Sequence, residues 1–157
     1  MGCPIFEPAA VCVESDAPDL LDLELSLKGG NTLTVSSLFM GTIHTVLFVD
    51  DVEADWIETL GEEICNHPTF AEKTNVNFVK VLDDHTLQMI TYERGVGMTQ
   101  ACGTGACASV VTAARKGLCS KTAEVILPLG SLKIEIKDDG HVMMEGPSVH
   151  VLEGKLY

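Results

Sequence analysis

The chain has 157 residues, of which 46% are hydrophobic, 5% aromatic and 21% charged, which is enough apolar material for one domain over residues 1–157. Ten Lys and Arg residues against 23 Asp and Glu residues give a formal charge of −13, which repels nucleic acid and anionic membrane surfaces. No apolar run approaches the ~20 residues of a membrane span, and no secretory signal opens the sequence. We therefore expect a cytoplasmic protein that has neither nucleic acid nor a membrane as its partner.

Six cysteines and five histidines are spread over the chain without metal-ligand spacing. No Cys-x-x-Cys motif occurs, and a chain without an export signal favours reduced thiols over a disulfide framework. The sequence therefore predicts neither a structural zinc site nor any other metal site. A cysteine with a function in this chain would act as a thiolate.

The first half of the chain predicts a hairpin, a buried strand and an amphipathic helix. Residues 21–27 alternate apolar and polar side chains, and Gly29-Gly30-Asn31 predicts a turn into a second strand over residues 32–36. Residues 44–50 indicate a buried strand. Asp50-Asp51 can cap a helix that runs to about residue 66, where Pro68 closes it.

The second half predicts strands on both sides of an uncharged helix. These strands cover residues 75–82, 86–93, 124–127, 132–136, 142–145 and 148–152. Residues 102–114 contain no charge and lead into Arg115-Lys116-Gly117, which is typical of a helix C-terminus. A helix without a polar face must be covered on nearly all sides. We therefore predict an α+β fold in which a strongly curved, barrel-like antiparallel sheet closes around a central apolar helix.

Cys102 stands at the start of the uncharged helix, within the glycine-rich string QACGTG. The helix dipole and the unpaired N–H groups favour a thiolate, so we expect a lowered pKa and the most reactive of the six thiols. The N–H groups from Gly103 to Gly105 and the hydroxyl of Thr104 would form a cradle for a carboxylate or a phosphate. Packing alone also accounts for a small cysteine at a tight strand-to-helix turn, and for Cys107 inside the helix it is the expected explanation.

Two further candidates are titratable groups near the same segment. Glu93 and Arg94 end a predicted strand just before the glycine-rich string, close enough in sequence to return to one cleft. His44 begins a predicted buried strand, where a hydrogen-bonded core histidine is the usual alternative to a functional one.

Five motifs extend over the whole chain: MGCPIFEP at 1–8, GTIH at 41–44, TNVNFV at 74–79, ERGVGMTQACGTGACA at 93–108 and MEGPSVHV at 144–151. Together they resemble the diaminopimelate epimerase family of cofactor-independent amino-acid racemases. The resemblance implies a two-domain enzyme in which each domain is a barrel of strands around a central helix and contributes one catalytic cysteine. It covers only the C-terminal half of that family.

The resemblance also implies roles for particular residues. Cys102 would be the catalytic cysteine of this half, one of two thiols that flank the substrate α-carbon. His44 and Glu93 would set the protonation of the thiols. The implied reaction converts LL- to meso-diaminopimelate, in lysine and cell-wall biosynthesis, without a cofactor. The residues implied to contact the substrate are Asn75, Glu93, Arg94, Gly103 and Thr104.

The sequence departs from the family pattern on the substrate side. Thr42-Ile43 stands where Asn-Pro is usual before the histidine, Met98 where Glu is usual, and Cys65 where Glu is common. The first hypothesis is the C-terminal half of an epimerase, inactive without an N-terminal epimerase domain as its partner. The departures favour an alternative, a racemase of other specificity completed by a second copy of the chain. A non-catalytic module that binds small carboxylates is the third.

Overall fold

The computed structural model describes residues 1–155, which contain a short 3₁₀ helix, two α-helices and a nine-stranded mixed sheet. The 3₁₀ helix covers Pro8–Val11, helix α1 covers Ile57–Cys65 and helix α2 covers Gly103–Arg115. The strands are β1 Leu23–Ser26, β2 Thr32–Phe39, β3 Ile43–Phe48, β4 Asn75–Asp83, β5 Thr86–Glu93, β6 Gly97–Thr99, β7 Thr122–Leu127, β8 Gly130–Ile136 and β9 Val142–Glu145.

The sheet is mixed, so the prediction of an antiparallel sheet was wrong. Its order is β1-β2-β3-β4-β5-β7-β8-β9, with β6 paired to β5. The β3–β4 and β5–β7 pairs are parallel and the others are antiparallel. Helix α1 lies between β3 and β4 in the chain, and α2 lies between β5 and β7. A connection that contains a helix can cross over and bring the next strand back in the same direction, which a hairpin cannot do.

The sheet is also open, whereas the sequence predicted closure. A closed barrel needs a continuous ladder of strands, but here β1 and β9 end the order. The first residues of the chain contact strands near both ends of this order, β9 at one end and β2 near the other. The amino group of Met1 donates to the carbonyl of Val142 over 2.9 Å, and Ile5 forms an isolated bridge with Phe39.

The two α-helices pack against different sets of strand side chains. Because side chains alternate along a strand, one set can face each side of the sheet. Val46 and Val79 belong to the apolar cluster that contains the α2 residues, whereas Leu47 and Phe78 belong to the cluster that contains the α1 residues. Helix α2 contacts β2, β3, β4, β5, β7, β8 and β9, and its residues from 105 to 113 are buried.

The end of α2 and the first hairpin confirm two sequence predictions. Gly117 follows the C-cap residue Lys116 with φ +71°, and its N–H donates to the carbonyl of Ala114 over 3.1 Å. Glycine reaches this left-handed conformation without a Cβ clash. Between β1 and β2, Gly30 likewise adopts φ +81° in the turn.

Helix α1 begins later than predicted. Its first residue is Ile57, and no side chain caps it. The carboxylate of Asp51 instead accepts a hydrogen bond from the N–H of Glu53 over 2.9 Å, and Val52 between them is buried. The aspartate therefore closes a local turn before the helix, which is the other common use of an Asp side chain.

The predicted strand over residues 148–152 was also wrong. This segment has no regular structure, and Val149, Val151 and Leu152 are 82%, 88% and 77% exposed. Its alternating pattern would suit a strand, but no partner strand lies beside it in residues 1–155. A strand without a partner leaves its backbone groups to water.

Candidate active site

The candidate site lies at the N-terminal end of α2, on the side of the sheet that packs against α2. Strand β3 brings His44, β4 brings Asn75 and Asn77, and β5 brings Thr91 and Glu93. Each of these positions lies an even number of residues along its strand from an apolar residue of the cluster that contains the α2 residues. Its side chain therefore faces the same side of the sheet as that apolar residue. His44 pairs with Asn75 in register, and Asn77 pairs with Thr91. Three adjacent strands therefore bring polar side chains together beneath one helix terminus.

Cys102 is the N-cap residue of α2 and has an extended conformation, with φ −142° and ψ 103°. Its sulfur accepts a hydrogen bond from the N–H of Gly105 over 3.4 Å. Its carbonyl accepts the first helical hydrogen bond, from the N–H of Ala106, over 2.9 Å. The sulfur thus accepts a hydrogen bond from an otherwise unpaired N–H group of the first turn, as the side-chain oxygen of an N-cap Ser, Thr, Asp or Asn commonly does.

A chain of hydrogen bonds connects the sulfur to the interior of the sheet. The hydroxyl oxygen of Thr104 lies 3.6 Å from Cys102 Sγ and 3.0 Å from His44 Nε2. The other ring nitrogen, His44 Nδ1, lies 3.1 Å from the side-chain nitrogen of Asn77. The hydroxyl of Thr91 donates to Asn77 Oδ1 over 3.1 Å. The structure therefore places Cys102, Thr104 and His44, three of the sequence candidates, in one network.

Asn77 and Thr91 belong to the network but were not predicted as site residues. Both side chains are buried, with exposed fractions of 0% and 2%. The available signal was the spacing of Asn75 and Asn77, two amides at period two that alternate with the apolar residues Val76 and Phe78. A buried amide must find hydrogen-bond partners inside the protein, so this spacing points to a polar network on one face.

His44 is neutral at physiological pH. Its side chain is fully buried, and burial, followed by the positive charge of Arg94, lowers the pKa of His44 from 6.5 to about 4. Burial disfavours the charged form of an imidazole because a dry interior cannot solvate it. A neutral imidazole carries one proton, so one ring nitrogen donates and the other accepts.

The Cys102 thiol does not have the lowered pKa that the sequence predicts. Burial raises the pKa of Cys102, and the negative charge of Glu93 raises it further. The hydrogen bonds from Thr104 and Gly105 act in the opposite direction, because they favour the thiolate. Glu93 itself accepts a hydrogen bond from the hydroxyl of Thr99 over 2.8 Å. Desolvation therefore outweighs the helix N-terminus at this sulfur.

Asn75 and Arg94 are held together at the edge of the site. The side-chain oxygen of Asn75 accepts from the N–H of Arg94 over 2.9 Å, and its nitrogen donates to the carbonyl of Ile43 over 3.0 Å. The exposed guanidinium of Arg94 donates to the carbonyl of Glu72 over 2.6 Å and to the hydroxyl of Thr42 over 3.5 Å. Thr42, one of the departures from the family pattern, thus contacts a sequence-predicted site residue.

The cradle at the helix N-terminus is smaller than predicted. Because Gly105 donates to the sulfur, the N–H groups that can serve a bound carboxylate are those of Gly103 and Thr104. Strand β9 contributes a wall that sequence reasoning missed, since a Cβ built on Gly103 would lie 3.0 Å from the sulfur of Met144. A side chain at position 103 would therefore require the flexible end of Met144 to move.

The remaining cysteines lie apart from this network. All six are free thiols; Cys3 and Cys12 are exposed and Cys65 and Cys107 are buried. Among residues 1–155, no group of three or more His, Cys, Asp or Glu side chains is placed to hold a metal ion. No helix in this part of the chain is long and apolar enough to cross a membrane.

Comparison with known proteins identifies the family. The sequence pattern described as diaminopimelate epimerase matches residues 36–151. The chain belongs to the diaminopimelate epimerase family. It is 41% identical over 160 residues to the diaminopimelate epimerase of Ectopseudomonas mendocina (strain ymp), a match that covers 99% of this chain and 56% of that protein.

Other relatives of the diaminopimelate epimerase family agree with this match. The enzyme of Desulforapulum autotrophicum is 41% identical over 157 residues, covering 99% of this chain and 55% of its own length. The chain therefore spans about half the length of the curated relatives it matches. The sequence resemblance to this family is confirmed.

Solved structures support the same fold at low sequence identity. A hydroxyproline epimerase from Agrobacterium vitis superimposes with a TM-score of 0.56 at 16% identity, over 74% of this chain and 40% of that one. A probable proline racemase from Agrobacterium radiobacter K84 superimposes with a TM-score of 0.52 at 16% identity, over 74% of this chain and 41% of that one. The chain thus has a mixed α+β fold with a large sheet, similar to the folds of these proteins.

Proposed function

We propose that this chain is the C-terminal half of a diaminopimelate epimerase and that Cys102 is one of its two catalytic thiols. The reaction would interconvert LL- and meso-diaminopimelate in the cytoplasm, for lysine and cell-wall biosynthesis. Membership of the family supports an epimerase, and the relatives at 41% identity are named diaminopimelate epimerases. The observation that carries the proposal is the position of the Cys102 sulfur at the N-cap of α2, within reach of Gly105, Thr104 and, through Thr104, His44.

The proposed chemistry is a proton transfer on two faces of one carbon atom. The Cys102 thiolate takes the α-proton, so that an S–H bond forms while the C–H electron pair stays on the substrate. The negative charge spreads into the substrate carboxylate, where the N–H groups of Gly103 and Thr104 stabilise it. A second thiol, on the opposite face, returns a proton to the carbon. Two thiols and a preorganised carboxylate site carry this mechanism without a cofactor.

The raised pKa of Cys102 fits a site that is completed by substrate and partner. Burial and Glu93 hold the sulfur in the thiol form in the free chain. The reaction runs in both directions, so Cys102 accepts the proton as a thiolate in one direction and donates it as a thiol in the other. A thiol pKa above neutrality suits its donor role. The positive side chain of Arg94 is exposed at the same edge, where it could hold a carboxylate of the substrate.

The experiment is exchange of the α-proton into deuterated water, followed by NMR or mass spectrometry. Diaminopimelate and a panel of other amino acids are incubated with the chain, with and without an added N-terminal epimerase domain from a relative. We expect exchange into diaminopimelate only when the second domain is present. Cys102→Ala should abolish the exchange, and Cys12→Ala, which removes an exposed thiol outside the site, should leave it unchanged. Exchange that survives Cys102→Ala contradicts the proposal.

A racemase of other specificity is the second candidate. The family pattern has an asparagine two residues before the histidine, where this chain has Thr42. Thr42 has no side-chain amide to offer a substrate, and its hydroxyl contacts Arg94. In this candidate a second copy of the chain supplies the opposite thiol. Exchange into another amino acid by the chain alone would favour it. Binding of small carboxylates without any exchange under either condition would favour the non-catalytic module instead.

A further inference from the structure

The orientation of the Asn77 amide follows from its partners. Its side-chain nitrogen lies 3.4 Å from the carbonyl oxygen of Thr45, which can only accept a hydrogen bond. Its oxygen accepts from the hydroxyl of Thr91 over 3.1 Å. The atom that faces His44 is therefore the amide nitrogen, 3.1 Å from Nδ1. An amide nitrogen donates and does not accept, so Nδ1 of His44 must be the nitrogen without a proton.

We infer that Asn77 is a positioning residue for Cys102, an inference that rests on the proposed function. Its amide holds the neutral His44 in the tautomer that carries the proton on Nε2. Nε2–H then donates to the Thr104 hydroxyl oxygen, 3.0 Å away. The hydroxyl proton of Thr104 is left to point at the sulfur, 3.6 Å away. Every donor in the network is thereby directed towards Cys102.

The opposite tautomer would break this direction at two places. A proton on Nδ1 would face the amide protons of Asn77, so two donors would meet across 3.1 Å. An unprotonated Nε2 would accept from the Thr104 hydroxyl and turn its proton away from the sulfur. Glycine at position 105 belongs to the same arrangement, because a Cβ there would collide with the Asn77 side-chain oxygen.

Nuclear magnetic resonance of the ¹⁵N-labelled chain tests the tautomer directly and needs no substrate. Long-range ¹H–¹⁵N correlation distinguishes a protonated ring nitrogen from an unprotonated one, and the signals missing from His44→Gln assign His44. We expect Nε2 to be protonated and Nδ1 unprotonated at pH 7. Protonation of Nδ1, alone or together with Nε2, would overturn the inference whether or not any variant folds.

A pH titration of Cys102 alkylation tests the consequence for the sulfur. Iodoacetamide labelling is followed by mass spectrometry of the peptide that contains Cys102. Asn77→Ala should raise the midpoint by about 0.5 to 1 pH unit, the size expected for one lost hydrogen bond to a thiolate. Thr91→Val, which keeps the amide but removes its hydroxyl partner, should give a smaller shift in the same direction.

The matched control is Ser37→Ala. Ser37 is as buried as Asn77, and its hydroxyl lies 2.9 Å from the hydroxyl of Thr45, so the variant removes a core hydrogen bond outside the network. The charged groups that act on the network, Glu93 and Arg94, stay in place in both variants. Equal midpoints for the two variants would overturn the inference. Neither the tautomer measurement nor the alkylation midpoint uses substrate. If only the exchange reaction fails, the proposed function is contradicted and this inference is not.

Discussion

The side-chain oxygen of Asn77 occupies the space that a Cβ of residue 105 would need. Gly105 is the third residue of α2, where alanine would otherwise favour the helix by about 1 kcal/mol. The close approach of β4 to the first turn of α2 therefore depends on a residue without a side chain. This contact couples the geometry of the strand to that of the Cys102 cap.

Gly105→Ala should lower the free energy of unfolding by about 1 to 3 kcal/mol, because overpacking in a buried contact exceeds the gain in helix propensity. Urea denaturation measures it. Gly103→Ala is the matched control, since its Cβ would meet only the flexible end of Met144. In the double variant Asn77→Ala/Gly105→Ala the clash with the Asn77 oxygen is absent and only the tight contact of the new Cβ with Cys102 Sγ remains. We therefore expect a loss smaller than the sum of the single losses. Simple additivity would refute the coupling.

The order of thiol alkylation should differ from the order that the sequence suggests. Cys3 and Cys12 are exposed, whereas burial raises the pKa of Cys102. Iodoacetamide at pH 7 should therefore label Cys3 and Cys12 before Cys102, as measured by peptide mass spectrometry. Labelling of Cys102 should increase at a higher pH than for an ordinary thiol, because only the thiolate reacts. Preferential labelling of Cys102 at pH 7 would show that the helix N-terminus outweighs burial.

Stability should fall in acid because of His44. The lowered pKa of about 4 means that the folded state binds fewer protons than the unfolded state below pH 6.5. The stability contributed by the neutral form is complete above pH 6.5 and is lost as the pH falls towards 4, by about 3 kcal/mol. Denaturation of wild type and His44→Gln across this range isolates the effect. The His44→Gln profile should be flatter, and that of the exposed control His150→Gln should follow wild type.

The chain should self-associate through its exposed C-terminal segment when no second domain is present. The large exposure of Val149, Val151 and Leu152 favours burial against a partner, while the charge of −13 per copy opposes it until salt screens it. Sedimentation in physiological salt should reveal species heavier than the 16.8 kDa monomer. Serine at these three positions should restore the monomer, and Val96→Ser, a single exposed control, should not. A monomeric wild type would also remove the support for a self-completed site.

The sequence predicted most strands and the uncharged helix because alternation and composition are local properties. The relative direction of two strands is not a local property. Strands β3 and β4 are parallel because the chain crosses over through α1 between them, and the residue pattern of either strand does not show this. The same limit applies to the site. The motif around Cys102 predicted a helix N-terminus correctly, but the pKa of the thiol depends on burial and on Glu93, which only the folded chain brings near. The spacing of Asn75 and Asn77 indicates a buried polar face, but the partners of Asn77 come from β3 and β5, which the local pattern does not contain.

The hydrogen-bond network has a consequence for the folding pathway. Its links join residues that are 14, 33 and 60 positions apart in the chain, from Thr91 to Asn77, from Asn77 to His44 and from His44 to Thr104. Non-local pairings form late, because loop closure must be completed before they contribute. An isolated α2 peptide or a single hairpin therefore cannot hold the Cys102 sulfur in this environment. During refolding, protection of this thiol from alkylation would report the arrival of the complete sheet rather than the formation of the helix.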